Sequence, residues 1–416
     1  MAGNISAEGE RKLGVGPILA ACTAVQALLA MAMLAIAAVG PALAADLGLD
    51  AGLVGYQITT VYVTAVLCSL VAGDAVARFG AIRAMQVALA FAATGLTLAA
   101  VPSVPVIVLG SLVIGAGYGL TNPAAAHLLA RATTERNRNL VFSIKQTGVP
   151  LGAMLAGLVI PGITVTAGWR TALVVGALGC LCLLAAIQSL RATNDADRNP
   201  THRLAARPFA ALQLVWRTRD LRRLVVACLT FSAVQLMIMG YTVTLLVEEF
   251  AFGLVAAGAV LALVQAAGVV GRLVWGTVAD RWLGGPRTLS LTAITSAAAC
   301  LALGFASWLP PEVVPAILVV LGFTAIGWNG VYVAEVARIA GHAGAGQATG
   351  GAMTVVFVGT IVGPSAFAIA YGLIGSFTTT FGVASLLLMI GAWLIGTLAR
   401  DSRLARTEAA SRAAGD

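Results

Sequence analysis

The stretch Gly271-Arg272-Leu273-Val274-Trp275-Gly276-Thr277-Val278-Ala279-Asp280-Arg281 begins as an apolar helix and ends as a charged turn. Upstream of it, residues 254–270 contain no ionisable side chain. An apolar run of this length is typical of a membrane helix, which places Arg272 inside the membrane. A charged side chain at that depth normally faces a protein interior or a water-filled cavity. The stretch therefore predicts a membrane protein with a polar site among its helices.

The rest of the chain has the same apolar character. Of its 416 residues 59% are hydrophobic and 10% charged, whereas a soluble domain is about 25% charged. The apolar runs are continuous, unlike the short alternating segments of a β-barrel. We predict an all-α membrane protein with twelve transmembrane helices in two pseudo-symmetric six-helix bundles. The predicted spans, numbered helix 1 to helix 12, are 17–40, 51–73, 84–101, 106–130, 140–161, 169–190, 223–247, 254–278, 287–307, 312–335, 350–374 and 378–399.

The net charge of +8 is explained by membrane topology rather than by nucleic-acid binding. Of the 25 Lys and Arg residues, all but three lie on the predicted membrane side that also holds both termini. The exceptions are Lys145 and Arg272, inside helices, and Arg170, on the opposite side. Because cytoplasmic loops carry an excess of Lys and Arg, we expect a multi-pass protein of the cell (inner) membrane with both termini in the cytoplasm, and no nucleic-acid partner.

The cysteines and histidines favour neither a metal site nor an enzyme. All six cysteines lie in apolar segments without metal-ligand spacing, and the three histidines lie in or near loops. No nucleophile and base are paired in the sequence, so we expect no catalytic residues, no metal and no cofactor. Residues 15–40 form an apolar run longer than the roughly 7–15 residues of a signal peptide, so we expect a retained first helix despite the cleavage-like residues 42–44.

The two halves of the chain repeat each other. Ala24-Val25-Gln26 recurs as Ala233-Val234-Gln235, and Gly115 and Asn122 correspond to Gly322 and Asn329. Such internal repeats are typical of transporters whose site lies between the halves. We predict a bundle at 1–190, a cytoplasmic linker at 191–222, a second bundle at 223–400 and a tail at 401–416. The linker is either solvated or a partly amphipathic segment on the lipid surface.

A third repeated pattern carries a family resemblance. Gly276-x3-Asp280-Arg281-x2-Gly284 follows helix 8, and a partial copy, with Ala77 in place of the Asp, follows helix 2. The pattern resembles the hallmark of the major facilitator superfamily, and the resemblance covers the whole chain. It implies a secondary transporter in which these turns control the conformational change. The residues implied in gating are Gly73, Arg78, Gly80, Arg83, Gly276, Asp280 and Arg281.

Arg272 is the first candidate for substrate binding. Four residues before Gly276, it resembles the helix 8 arginine of monocarboxylate porters and oxalate–formate exchangers, which contacts the substrate carboxylate in those families. The monocarboxylate branch also has an Asp four residues before this arginine, where this chain has Gly268. A guanidinium matches a carboxylate with two parallel hydrogen bonds. The alternative is structural: Arg272 could bridge to helix-terminal carbonyls or to Glu335.

Lys145 is the second candidate, near the start of helix 5. A lysine there could extend its ammonium to the membrane surface. However, Gln146, Gly148 and Pro150 make the segment polar and bent, unlike a lipid-facing surface. The superfamily resemblance implies that helices 5 and 8 face each other across the cavity, so Lys145 and Arg272 would converge on one anion.

Further polar side chains inside helices are candidates for the cavity wall. Gln265 and Arg272 lie seven residues apart, on one helix face. For each candidate the alternative is a hydrogen bond between helices, worth about 1 kcal/mol. The set comprises Gln26, Tyr118, Asn122, Gln146, Gln235, Gln265, Trp328, Asn329 and Tyr332.

An absence points to the charge of the cargo. No predicted helix carries a carboxylate near its middle, whereas proton pumps use Asp, Glu or His there. We therefore predict a secondary active transporter of small organic anions, in particular carboxylates, acting as a monomer. Its partners would be membrane lipid and a proton or counter-anion, with Lys145 itself a candidate proton site. The alternatives are an efflux carrier for neutral or hydrophobic compounds, suggested by Gly359-x3-Gly363-Pro364 in helix 11, and a non-transporting sensor.

Overall fold

The computed structural model describes residues 15–48, 55–204 and 209–413. Within them, twelve helices are long and apolar enough to cross a membrane, which confirms the predicted all-α fold. We number these helices α1–α12. They are α1 Val15–Ala38, α2 Gln57–Phe79, α3 Ala81–Ala99, α4 Val104–Ala132, α5 Arg138–Ala167, α6 Trp169–Asn194, α7 Arg219–Glu248, α8 Ala256–Leu283, α9 Gly285–Gly304, α10 Pro311–His342, α11 Gly344–Ile374 and α12 Phe377–Leu398.

Several helices extend beyond their predicted ends. The last helix continues to Ala413, and α10 and α11 are separated only by a kink at Gly341, where a loop over 336–349 was expected. Hydropathy measures the apolar length that lipid requires, whereas the helical hydrogen-bond ladder continues into polar sequence wherever its backbone groups remain paired. The predicted boundaries therefore mark where the apolar sequence ends, whereas the observed boundaries mark where the helical hydrogen bonds end.

Equivalent turns follow α2 and α8. Each contains a glycine with positive φ, Gly80 at 92° and Gly284 at 76°, a conformation that a Cβ would disfavour. The second turn is preceded by one π-helical segment, Ala279–Leu283. A π segment absorbs one additional residue within a helix. This explains how the second copy of the repeated pattern holds an extra residue before its glycine and still ends in the same turn.

Glycines allow close helix packing within each half. In the first half Gly152 on α5 lies against the backbone of Ala27 on α1, and in the second Gly363 on α11 lies against Ala233 on α7. A Cβ at either position would lie within 3 Å of the neighbouring backbone. Small residues of this kind let membrane helices approach without an apolar driving force. The two contacts are pseudo-symmetric, as the internal repeat predicts.

The halves meet at the end of the bundle that carries the linker, which we call the linker side. There Gly73 on α2 packs on Gln347 of α11, and Gly276 on α8 packs on Ser143 of α5. Asp280 also accepts hydrogen bonds across this contact, from the backbone N–H groups of Asn139 and Leu140, at 3.0 and 2.7 Å. These contacts form the linker-side interface, which closes the molecule at that end.

The first part of the linker is docked on the first half. Asp195 accepts hydrogen bonds from the backbone N–H groups of Ile82 and Arg83, at 2.8 and 3.0 Å. Burial raises the pKa of the Asp195 carboxyl. Asp197 contacts both His127 and Arg131 at 2.7 Å. These contacts hold the linker against the ends of α3 and α4.

The second part of the linker forms the short helix Ala210–Arg217. It buries Ala211 and Val215 and packs on Gly351 of α11. Ala211 and Val215 therefore face protein, whereas Trp216 remains exposed.

Candidate substrate-binding site

Arg272 lies between the halves and is only 3% exposed. Its Nη1 donates to the carbonyl oxygen of Gln146 at 2.6 Å, and its Nε donates to that of Ile326 at 3.3 Å. Both acceptors lie at helix irregularities. Pro150 has no N–H, so the Gln146 carbonyl lacks its intrahelical donor, and Ile326 ends the π segment Gly322–Ile326.

The backbone contacts leave part of the guanidinium unused. Arginine has five N–H donors, and two of them are bound to carbonyl oxygens. In the described part of the chain no acceptor contacts Nη2. The side chain lines two adjoining cavities. Arg272 therefore has two features. It bridges to backbone carbonyl groups, rather than to Glu335, and it presents a free donor edge to a cavity.

Lys145 is equally buried, at 2% exposure, and its ammonium is bound by side-chain amides. Nζ donates to Asn122 Oδ1 at 2.6 Å, to Gln26 Oε1 at 2.7 Å and to Gln146 Oε1 at 3.1 Å. An ammonium has donors only, so each amide must present its oxygen to it. Consequently the amino group of each amide is directed away from Lys145.

A series of hydrogen-bonded amides extends this orientation from the first half of the molecule to the second. Gln146 donates from Nε2 to Asn329 Oδ1 at 3.3 Å, and Asn329 donates from Nδ2 to Gln235 Oε1 at 3.5 Å. Trp328 Nε1 also donates to Gln235 Oε1, at 3.1 Å. The oxygens of Asn122 and Gln235 are thereby occupied, and their amino groups remain as donors on the cavity wall.

The two cavities differ in polarity. The first, which we call the polar chamber, has a volume of about 60 Å³ and the second, the apolar chamber, about 130 Å³. They share Tyr62, Val149, Gln235, Leu236 and Arg272. The polar chamber is further lined by Tyr118, Asn122, Gln146, Ser232, Asn329, Met353, Val356, Phe357 and Thr360. The apolar chamber is further lined by Met33, Leu34, Ile58, Pro150, Ala153, Met239, Gln265, Val269 and Ile326.

The walls of both chambers carry no negative charge. Neither set of lining residues contains an Asp or a Glu, as far as the described residues go. No group of three His, Cys, Asp or Glu residues gathers to hold a metal ion within the same residues. A cavity that contains a free guanidinium edge and several N–H donors suits an acceptor-rich, negatively charged solute.

The family model described as Major Facilitator Superfamily matches residues 20–364. The chain belongs to that superfamily. Members of the superfamily are secondary transporters, and the chain has their multi-pass membrane architecture.

Individual superfamily members resemble the chain only distantly. One is the "Putative metabolite transport protein YwtG" of Bacillus subtilis (strain 168), 30% identical over 143 residues, which are 34% of this chain and 31% of that protein. The chain spans less than two thirds of the length of the curated relatives it matches.

Solved structures of the superfamily share the fold, and two of them illustrate the range. The human organic anion transporter MFSD10 (TETRAN) superposes with TM-score 0.75 at 17% identity, over 92% of this chain and 100% of that one. The proton:xylose symporter XylE bound to 6-bromo-6-deoxy-D-glucose gives TM-score 0.73 at 15% identity, over 92% and 95%. At these identities the likeness concerns the fold alone, and anion and sugar transporters resemble the chain equally well.

The two chambers are lined by most of the predicted residues, but not by all of them. Tyr118, Asn122, Gln146, Gln235, Asn329 and Arg272 line the polar chamber, and Gln265 lines the apolar one. Lys145 and Gln26 lie behind Asn122 and Gln146 rather than on the wall. Tyr332 is in neither wall: it is buried against Trp328 and donates to the carbonyl oxygen of Ala352.

The predicted gating residues separate into two groups. Gly73, Gly276 and Asp280 lie in the linker-side interface. Gly80 and the three remaining positions belong to the turns themselves: Arg78 lies over its neighbour Phe79, Arg83 offers its backbone N–H to Asp195, and Arg281 lines an arginine-rich cavity on the linker side. At the turns, glycine packing and the Asp280 carboxylate connect the halves in this conformation. Within the described residues, no hydrogen bond or ion pair joins the side chains of Arg78, Arg83 or Arg281 to the opposite half.

Several wall residues were not predicted. Tyr62 borders both chambers, and Ser232 and Thr360 border the polar one. Tyr62 is one of a few polar residues in helix 2, so composition offered a weak signal. Ser232 and Thr360 offered none, because isolated hydroxyl groups commonly bond to their own helix backbone, as Thr360 does with Val356.

Proposed function

We propose that this transporter carries small organic anions and binds the carboxylate of its substrate at Arg272. The observation that supports the proposal is the free Nη2 edge of a buried arginine on a cavity without carboxylates. A substrate carboxylate would accept from Nη2 and from the second N–H of Nη1, the paired geometry in which arginine binds carboxylates most strongly. The amino groups of Asn122 and Gln235 would supply further donors.

Charge balance supports the same conclusion. Lys145 and Arg272 are two buried cations whose hydrogen-bond acceptors, among the described residues, are amide and carbonyl oxygens. A buried charge without a counter-charge is unfavourable by several kcal/mol. A bound anion would supply that counter-charge. Part of the binding free energy would therefore come from removing the unfavourable excess of buried positive charge. Lys145 contributes through its electrostatic field and by orienting the amides, rather than by direct contact with the substrate.

Transport would proceed by rocking of the two halves around this site. The linker-side interface is closed in this structure, and the chambers lie between it and the far side. We propose that the linker side faces the cytoplasm of a cell whose inner membrane holds the monomer, because most Lys and Arg residues lie on that side. The return step would be driven by a counter-anion or by a proton carried with the substrate.

The direct test is Arg272→Gln in protein reconstituted into vesicles, with uptake measured for a panel of mono- and dicarboxylates. Loss of hydrogen bonds to a charged partner, each worth about 1.5–3 kcal/mol, predicts uptake reduced by about 100-fold. Arg170→Gln is the matched control, since Arg170 pairs with Asp46 on the surface. Unchanged uptake by a correctly folded Arg272→Gln protein would refute the anchor.

An efflux carrier for neutral or hydrophobic compounds is the second candidate. It is favoured by the apolar chamber, whose wall includes Met33, Met239 and Val269. A thermal-shift screen separates the two functions, because a ligand that binds only the folded state raises the melting temperature. Stabilisation by carboxylates supports the anion carrier, and stabilisation by uncharged lipophilic compounds alone supports the efflux carrier.

A further inference from the structure

The two chambers meet at Arg272 and offer opposite environments on its two sides. We propose that the substrate is an amphipathic monocarboxylate, with its carboxylate at Arg272 and an apolar tail of about six carbons in the apolar chamber. This inference rests on the proposed function and adds the substrate's shape and charge count to it.

The wall of the apolar chamber is built for a hydrocarbon. Both halves contribute to it, Met33 and Ala153 from the first and Met239 and Val269 from the second. Methionine side chains adapt to irregular apolar ligands. Met239, which is 38% exposed, contributes a flexible side chain to this wall.

The size of the chamber sets the length of the tail. Its volume is about 130 Å³, close to that of an engineered apolar cavity of about 150 Å³ that binds benzene. A phenyl ring or a straight chain of five or six carbons would therefore fill it. The polar chamber, at about 60 Å³, accommodates a carboxylate and a few water-sized groups but no comparable tail.

The distribution of charge sets the number of carboxylates. Arg272 is the one cation on the wall of the apolar chamber, within the residues that the structure describes. A second carboxylate at the end of the tail would be buried there without a partner, which is strongly unfavourable. Gln265 Oε1 has no donor among the described residues, so one hydroxyl on the tail would be tolerated where a second charge would not.

A homologous series tests the tail on the purified protein. Affinities are measured by calorimetry for acetate, butyrate, hexanoate and octanoate, with adipate as the doubly charged analogue of hexanoate. Burial of one methylene contributes about 0.8 kcal/mol, so affinity should rise about fourfold per methylene up to about six carbons and then level off. Adipate should bind at least about tenfold more weakly than hexanoate. Equal affinity along the series, or adipate equal to hexanoate, would overturn the inference.

Ala153→Phe tests the location of the tail. The new ring would occupy the apolar chamber, so the advantage of hexanoate over acetate should disappear while acetate affinity is retained. Ala266→Phe is the matched control, because Ala266 is exposed on the outer surface of α8 and the substitution should change nothing. If Ala153→Phe keeps the full chain-length dependence, the tail lies elsewhere.

The two proposals fail in different ways. If Arg272→Gln abolishes the binding of every carboxylate but chain length has no effect, the anion carrier stands and the tail chamber is refuted. If hexanoate binds Arg272→Gln as well as the parent protein, the carboxylate anchor is refuted, and the tail dependence then reflects non-specific partition.

Discussion

At the scale of single residues, the site is defined by how its two cations are compensated. Within the part of the chain that the structure describes, neither Lys145 nor Arg272 contacts a carboxylate; their partners are neutral amide and carbonyl oxygens. Dipoles of this kind stabilise a buried charge without neutralising it, so the local potential stays positive. A conventional buried ion pair would satisfy the same donors and remove the attraction for an anion.

Asn122→Asp should reverse this arrangement with almost no change in shape. The new carboxylate would pair with Lys145, which Asn122 Oδ1 already contacts at 2.6 Å, and would turn an N–H donor on the polar chamber into an acceptor. Carboxylate binding should weaken by about tenfold or more, since like charges in a buried site repel, while thermal stability is kept. Asn122→Leu removes the donor and the acceptor for Lys145 without adding a charge, and should weaken carboxylate binding less. Parent-like carboxylate affinity in the Asp variant, measured by calorimetry, would contradict the charge argument.

The predictability of the site depends on the kind of residue. Arg272 can be identified from the sequence because a charge within an apolar run costs free energy and therefore indicates a structural or functional role. Gln235 and Asn329 are visible through the repeat. The orientation of the amides is not, because it depends on which acceptors surround the Lys145 ammonium in three dimensions. For the same reason the sequence could not place Lys145 behind the wall rather than on it.

At the scale of elements, the start of α5 depends on a carboxylate from the other half. Asp280 binds two backbone N–H groups there, and also Asn139 Nδ2 at 2.8 Å. These backbone groups have no intrahelical acceptor, and a negative charge favours the positive end of the helix dipole. The equivalent residue in the first half is Ala77, whose carbonyl accepts from Asn199 of the linker at 2.8 Å. At this turn the observed backbone contact is therefore to the linker.

Asp280→Ala should shift the transporter toward the conformation with an open linker side. Loss of a helix cap weakens a contact by about 0.5–2 kcal/mol, enough to redistribute two conformations of similar energy. Spin labels at Val165 and Leu373, which are exposed on the far side of α5 and α11, should move closer together as that side closes. Asp46→Ala removes a surface pair within the first half and should leave the distance unchanged. An unaltered distance distribution in Asp280→Ala would show that the cap does not hold the interface.

At the scale of the whole molecule, the fold was predictable and the conformation was not. Lipid offers no hydrogen bonds to backbone groups, so apolar runs of this length must be helices, and the number of runs determines the number of spans. Which side is closed depends instead on small differences between two packings of the same helices. The contacts that decide it, such as Gly73 on Gln347, join residues far apart in sequence. The apolar chamber was likewise invisible, because its lining alternates among helices from both halves.

Gly73→Val should disfavour the closed linker side for a steric reason. A Cβ at Gly73 would lie 2.6 Å from the Gln347 Cα, which cannot move without displacing α11. In a background without the native cysteines, a cysteine at Ser143, which is fully buried in the interface, should react faster with a water-soluble maleimide when Gly73→Val is present. Gly258→Val is the control, since nothing lies within 4 Å of a Cβ there. Saturating carboxylate should reduce the difference if the anion favours the closed form, because a ligand shifts the equilibrium only through its different affinities for the two states. Equal labelling in both valine variants would mean that the Gly73 contact does not set the equilibrium between the two conformations.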